Sequence, residues 1–152
     1  MLLAKNRKAL HEYSVVEKYV AGIVLKGFEV KAVRENKASF EGSYVKIIDD
    51  KPYVVNMYIG PYSKQGKSFD ETSSKRSRLL LLNKHELRKI ITAIEQKGVT
   101  AVPLALLKER NLIKLEFAVV RGLKEFERKE VTKDKQILRD LARESKQIRS
   151  LA

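Results

Sequence analysis

The strand-like runs of this chain follow one another through hairpin turns, without the strand–helix–strand rhythm of a parallel sheet. That constrains its fold more than any other feature. Tyr13 to Leu25 is rich in Val, Ile and Tyr and reads as a strand bent at Gly22. Tyr44 to Ile48 and Tyr53 to Ile59 flank Asp49-Asp50-Lys51-Pro52, a turn sequence, and so form a hairpin ended by Gly60-Pro61. Arg78 to Leu82 is a further short strand. Thr100 to Leu107 and Leu112 to Val120 pair as a second hairpin across Glu109-Arg110-Asn111. Two helices interrupt the series. One is expected from Gly27 to Glu35. The other is capped by Asn83 with Glu86 three residues on, carries Leu87, Ile90, Ile91 and Ile94 on one face, and stops at Gly98. Antiparallel strands in this number close most simply into a small barrel, which removes exposed sheet edges. The fold class expected is mainly β with helices: a six-stranded antiparallel barrel with two or three α-helices and a basic C-terminal tail. Residues 62–77, rich in Ser, Lys and Gly, form a long loop of the kind that carries function or motion.

Charge narrows the partner. The 152 residues hold 32 Lys+Arg against 19 Asp+Glu, for a net charge of +13. With 43% hydrophobic residues the chain can still bury a core. So large an excess points to a polyanion, nucleic acid before an anionic membrane. Residues 1–50 carry 9 basic and 7 acidic side chains, residues 51–120 carry 13 and 6, and residues 121–152 carry 10 and 6, so the grip is expected from the middle and the tail. No apolar run approaches a membrane span, and Met1 to Lys8 lacks the apolar centre of a signal peptide. The chain has no cysteine, which excludes disulfides and thiolate chemistry and accords with a reducing cytoplasm.

The tail differs from the rest. From Lys133 onward there is no Gly, Pro or aromatic residue. On a helix, Lys135, Arg139, Arg143, Lys146 and Arg149 fall in one stripe, and Ile137, Leu138, Leu141, Ile148 and Leu151 fall on the other side. Two readings are open: a segment disordered alone and ordered on a partner, or a helix packed on the barrel. The expected division is a barrel at 1–130 and a tail at 131–152.

Catalytic constellations are not found. The two histidines, His11 and His85, stand in no Cys/His cluster, no phosphate-binding Gly loop occurs, and Asp49-Asp50 is turn chemistry. No metal or cofactor is expected. His85 lies in the first turn of the Asn83-capped helix. His11 sits between a basic patch and Tyr13, where it either meets a base or phosphate or pins the N-terminus to the barrel. Asn56 to Tyr62, followed by Lys64, Lys67, Lys75, Arg76 and Arg78, interleaves aromatic and basic groups. That suits unpaired bases and phosphates, or equally a strand with buried tyrosines.

Taken in order, these residues resemble the small protein B (SmpB) family of tmRNA-binding proteins. Asn6 through Tyr13 is similar to the family's opening motif, an Asn and basic residues before His-(Asp/Glu)-Tyr. Tyr19 to Arg34, Ser43-Tyr44, Asn56 to Tyr62, Arg76 to Leu81, Gln96 to Leu104 and Gly122 to Lys129 match later motifs, so the resemblance runs along almost the whole chain. It departs from the pattern at Leu10, Val20, Ala32, Leu79, Leu123 and Phe126. Val20 stands where the family has a Glu, and Phe126 can stack but offers no hydrogen bond where Tyr or His is usual.

The resemblance implies an oligonucleotide-binding (OB-like) barrel that holds the tRNA-like domain of tmRNA, with no enzymatic activity. It implies RNA contacts at Asn6, Arg7, Lys8, His11, Lys31, Arg34, Tyr44, Arg76, Arg78, Leu80 and Leu81. Decoding-centre contacts are implied at Gly122, Lys124, Phe126, Arg128 and Lys129, with the basic tail stripe in the empty mRNA channel of a stalled 70S ribosome. The implied setting is cytoplasmic trans-translation by a monomer, with elongation factor Tu and alanyl-tmRNA as indirect partners. A generic OB-type single-stranded RNA-binding or ribosomal protein would share the barrel and charge without needing the tail, and a nuclease or RNA-modifying enzyme would need a site this sequence does not offer.

Overall fold

A computed structural model of the chain describes residues 1–122. Nine strands and three α-helices follow in the order β1 (Leu2–Lys5), α1 (Ala9–Glu12), β2 (Tyr13–Ile23), α2 (Gly27–Arg34), β3 (Ala38–Ser39), β4 (Tyr44–Ile48), β5 (Lys51–Val55), β6 (Tyr58–Ile59), β7 (Arg78–Leu81), α3 (Lys84–Ile94), β8 (Val99–Glu109) and β9 (Leu112–Gly122). All pairings are antiparallel. Strands β8, β4, β5, β7, β2 and β9 form a ring, because β9 pairs with both β2 and β8. Strand β1 adds to β8 beside β4, and β3 pairs with β6 in a separate two-stranded sheet.

Local chemistry explains the turns. Asp49 and Asp50 both take left-handed backbone conformations, φ 51° and 61°, as a two-residue hairpin turn of the favoured twist requires. The Asn83 side chain accepts from the Glu86 N–H at 2.8 Å and starts α3, whose Ile90 is fully buried. The expected strand from Tyr53 to Ile59 is instead two. Asn56 at φ 63° breaks the ladder, Met57 turns into the core, and Tyr58–Ile59 joins Ala38–Ser39.

Inside the ring, Tyr19, Ala21, Ile23, Val45, Val54, Leu80, Leu106, Leu115, Phe117 and Val119 form the core, with Ala32 and Val33 of α2 and Ile90 of α3 packed into it. Tyr19 and Phe117 stack with ring centroids 5.6 Å apart. A second, smaller cluster comprises Val102, Leu104, Ala118 and Val120, with Ala9 of α1 packed on it. Burial on both faces explains the unbroken run from Ala101 to Leu106 in β8.

A buried ion cluster joins the helices to the ring. Glu29 of α2 is 2% exposed and Arg78 of β7 is 0% exposed. One Glu29 oxygen accepts from Arg78 Nε at 2.7 Å and meets its Nη2 at 2.6 Å. The other accepts from Arg76 and from the Lys26 N–H at the start of α2, the latter at 2.9 Å. Arg78 also donates to the carbonyls of Met57 and Ser74. Burial pushes the Glu29 carboxyl up. The hydrogen bond from Arg76, that from the Lys26 N–H, and the charge and hydrogen bond of Arg78 outweigh burial and hold it below the usual carboxylate range.

Removing this carboxylate strands a buried guanidinium. Glu29→Gln should cost about 3–5 kcal/mol in urea unfolding at neutral pH. The sign with pH follows from linkage. Because the folded carboxyl is the stronger acid, its contribution is intact above the ordinary carboxylate range and is lost as pH falls through the lowered folded value. The Glu29→Gln variant should therefore lose stability on acidification less steeply than the parent chain in the same assay.

Candidate nucleic-acid interface

The expected contact residues separate into exposed and internal groups. On α2, Lys31 and Arg34 are exposed, and Lys31 Nζ lies 5.1 Å from the centre of the Tyr62 ring. The segment 60–77 is tied along this helix. Ser63 donates its N–H and its hydroxyl to the two oxygens of Glu35 at 2.8 and 2.9 Å, the Gly60 N–H donates to the Lys37 carbonyl at 2.9 Å, and Arg76 meets Glu29. The Ser63 hydrogen bonds hold the Glu35 carboxyl below its ordinary value. Two short 3-10 turns, Gly66–Ser68 and Glu71–Ser73, give the expected loop local order, the second capped by Asp70 accepting from Thr72. The exposed side chains of Lys64, Lys67 and Lys75 ride on it. Among the described residues no acidic side chain forms an ion pair with Lys31, Arg34, Lys64, Lys67 or Lys75. Cations without carboxylate neighbours are what a phosphate backbone needs.

The second exposed group is the N-terminal motif. Arg7, Lys8 and His11 are exposed around the one-turn helix α1, with Lys8 3.9 Å from Glu12. Asn6 works inward. Its backbone N–H donates to the Leu104 carbonyl at 2.7 Å, and its side-chain amide donates to the Pro103 carbonyl at 2.8 Å. The Ala9 N–H reaches its oxygen at 3.4 Å. Strand β8 bulges between Pro103 and Ala105, and Asn6 satisfies the carbonyls there. The motif thus rests on β8 through Asn6 and on the outer cluster through Ala9. Beside it runs a cleft of about 700 Å³, lined by residues 3–9, Glu12, Tyr13, Asn36, Ala38 to Ser43 and Val102. Tyr44, 37% exposed, follows the cleft wall at the start of β4.

Strand alternation sorts the remaining residues. In β7, Arg78 and Leu80 point in, at 0% and 1% exposure, while Leu81 is 58% exposed. Arg78 and Leu80 are therefore enclosed in the protein, while Leu81 stands at its surface. Leu81 stands over Gly22, where a Cβ would lie 3.3 Å from Leu81 Cβ. Exposed Val20 and Val24 share that outer face of the β2 segment, so an apolar stripe exists where Val20 replaces the acidic residue of the resembling family. Gly122 ends β9 opposite Tyr13, with its N–H on the Gly98 carbonyl at 3.3 Å. Lys124, Phe126, Arg128, Lys129, Lys135, Arg139, Arg143, Lys146 and Arg149 lie outside the described residues.

Sequence reasoning missed Glu29, Glu35 and the wall from Asn36 to Ser43. Two acidic residues flanking Lys31 and Arg34 on a short basic helix were the available signal. Among the described residues no group of three His, Asp or Glu side chains is placed to hold a metal ion. Nor is any described helix long and apolar enough to cross a membrane.

A six-stranded antiparallel ring with unpaired cations on a helix, a pinned loop and an N-terminal motif defines a small basic β-domain built to hold a polyanion. The comparisons make it specific. The family described as "SmpB protein" matches residues 3–147, and the chain belongs to that family. It is similar to the SsrA-binding protein of Coprothermobacter proteolyticus, 40% identical over 95% of this chain and 97% of that one. The SsrA-binding protein of Thermus thermophilus is 42% identical over 90% of this chain and 94% of that one. A solved structure described as "tmRNA-SmpB: a journey to the center of the bacterial ribosome" superposes with a TM-score of 0.69 at 40% identity, covering 87% of this chain and 95% of that chain.

Because Asn6 supports the motif from beneath, Asn6→Ala should cost about 1–3 kcal/mol of stability by leaving the Pro103 carbonyl without its donor. Chemical denaturation checks this, and the exposed Arg7→Ala should leave the unfolding midpoint within about 0.5 kcal/mol of the parent.

Proposed function

We propose that this chain binds the tRNA-like domain of tmRNA and accompanies it to stalled ribosomes in trans-translation. Family membership over residues 3–147 carries the reading, because the matching region includes the N-terminal motif, α2 and the 60–77 segment. The chemistry is binding and positioning, not bond making. Phosphates of the folded RNA lie along Lys31 and Arg34 and beside the Arg7, Lys8 and His11 motif, while Tyr44 and Leu81 offer apolar surface to riboses and bases. Arg76 serves partly as a phosphate contact and partly as the tie to Glu29. Arg78 and Leu80 hold the strand that presents Leu81.

Under this reading the chain divides at about residue 130, with 131–152 as a functional tail. Gly122, Lys124, Phe126, Arg128 and Lys129 meet the decoding centre. Lys135, Arg139, Arg143, Lys146 and Arg149 line the vacant mRNA channel of a 70S ribosome and stand in for codon pairing. The protein acts as a cytoplasmic monomer, and elongation factor Tu reaches it only through alanyl-tmRNA.

Two measurements test this. In titrations with the tRNA-like domain, affinity should fall steeply with salt. The double variant Lys31→Ala/Arg34→Ala should flatten the log–log salt dependence by about 2, one for each phosphate that the two side chains neutralise. Deleting residues 131–152 should leave that affinity within a few-fold while abolishing release of stalled ribosomes in a reconstituted translation reaction. Equal binding of tmRNA and ordinary tRNA, or rescue that survives the deletion, would overturn the reading.

A further inference from the structure

The cleft beside the N-terminal motif has a chemical character different from the open cationic faces. Its lining includes the apolar residues Ala4, Ala38, Phe40 and Val102. One rim carries Lys5, Arg7 and Lys8, all exposed. The 38–43 segment of the lining carries Glu41. A carboxylate is unfavourable against phosphates unless it meets a donor, and at neutral pH it only accepts hydrogen bonds. Glu12, which also lines the cleft, has Lys8 within 3.9 Å to balance it. Glu41 forms no ion pair among the described residues.

Both walls are built before any ligand arrives. The motif side rests on Asn6. The other wall is a tight turn in which Ser43 donates its N–H and its hydroxyl to the Phe40 carbonyl, at 2.9 and 2.5 Å, and Gly42 takes φ 74°. The Ser39 hydroxyl receives the Glu41 N–H at 3.4 Å, which fixes the backbone carrying that carboxylate. A volume of about 700 Å³ lined by apolar residues together with a few charged and polar ones is the form of a small-ligand site.

We propose that this cleft seats one unpaired guanosine of the bound RNA, its base on the apolar residues, its phosphate on the Lys5–Lys8 rim and its Watson–Crick donors on Glu41. Guanine is the base selected because its N1–H and its amino group stand side by side and suit a carboxylate, whereas adenine and cytosine each present a single amino donor on that edge. Apolar residues alone accept any base face, so Glu41 supplies the discrimination. The inference rests on the RNA-binding reading above and adds a base-specific subsite to it.

The test uses the full chain and the tRNA-like domain with its unpaired nucleotides replaced one at a time by abasic residues. At one guanosine the replacement should weaken binding about tenfold, and replacing that guanosine by inosine, which lacks the amino group, should weaken it several-fold. Glu41→Gln should give a loss of similar size on the intact RNA and none further on the abasic RNA, while Lys31→Ala/Arg34→Ala should add its full loss to either. Glu41 is exposed, so an unchanged unfolding midpoint confirms that the variant folds. Losses from Glu41→Gln that simply multiply with every abasic loss would overturn the subsite. So would abasic replacements that are all silent while the intact RNA binds tightly. If the intact RNA does not bind at all, the functional reading fails, and the subsite as part of it. A titration with guanosine 5′-monophosphate, followed by the amide signals of Glu41 and Gly42 against uridine 5′-monophosphate as control, separates the sources. Shifts with the free nucleotide but no coupling on the RNA would assign the cleft to a mononucleotide and overturn the RNA proposal.

Discussion

A single buried carboxylate organises the side of this molecule that carries Lys31, Arg34, Lys64, Lys67 and Lys75. Glu29 is taken out of water together with Arg78, a costly burial that is stable only because each of its oxygens is met by more than one donor. The arrangement gathers the start of α2, strand β7 and the end of the 60–77 segment at one point. Two guanidiniums share one carboxylate, so the cluster keeps a net positive charge, and Arg76 is the member that reaches the surface. Arg78 spends its remaining donors on the Met57 and Ser74 carbonyls, which fixes the chain on both sides of the second sheet. Arginine suits this position better than lysine because its planar fork satisfies a carboxylate and two carbonyls at once.

The cationic surface follows from that anchoring. Loop residues ordinarily lose conformational freedom when they bind, and that loss weakens affinity. Here the segment bearing Lys64, Lys67 and Lys75 is held before binding by Glu29, Glu35 and the Lys37 carbonyl, all on or just past α2. Lys31 against Tyr62 adds a contact of the same kind. Glu29 faces inward and Glu35 is engaged by Ser63, while the exposed Asp70 and Glu71 of the segment form no ion pair with its lysines among the described residues.

Much of the architecture was legible in the sequence, and the failures have physical causes. Asp49-Asp50 and Asn83 with Glu86 are local signals, decided within four residues, and the hairpin and α3 form where they indicate. Strand β1 and the β3–β6 pair are two to four residues long and owe their existence to partners elsewhere in the chain, which no local pattern reports. Arg78 illustrates the same limit. Its charge suggests an outward position, yet strand periodicity puts it on the face of Leu80, and the Glu29 that makes burial possible lies 49 residues earlier. Asn6 was legible as a member of a motif but not as the donor to the bulged β8, because the bulge itself is a tertiary feature. The cleft was invisible for a similar reason: its walls come from residues about 30 positions apart.

The double pairing of β9 has a mechanical consequence. Gly122 finishes a strand that is zipped to β8 along one edge and to β2 along the other, nearly to its last residue. A pull on the chain beyond Gly122, directed along β9, would load both ladders in shear, sharing the force across many hydrogen bonds at once. A pull directed sideways would peel them one at a time, beginning at Tyr13, the residue that joins the N-terminal motif to the ring. Tension from outside the ring therefore reaches the motif and its cleft first in one direction and is absorbed by the whole sheet in the other.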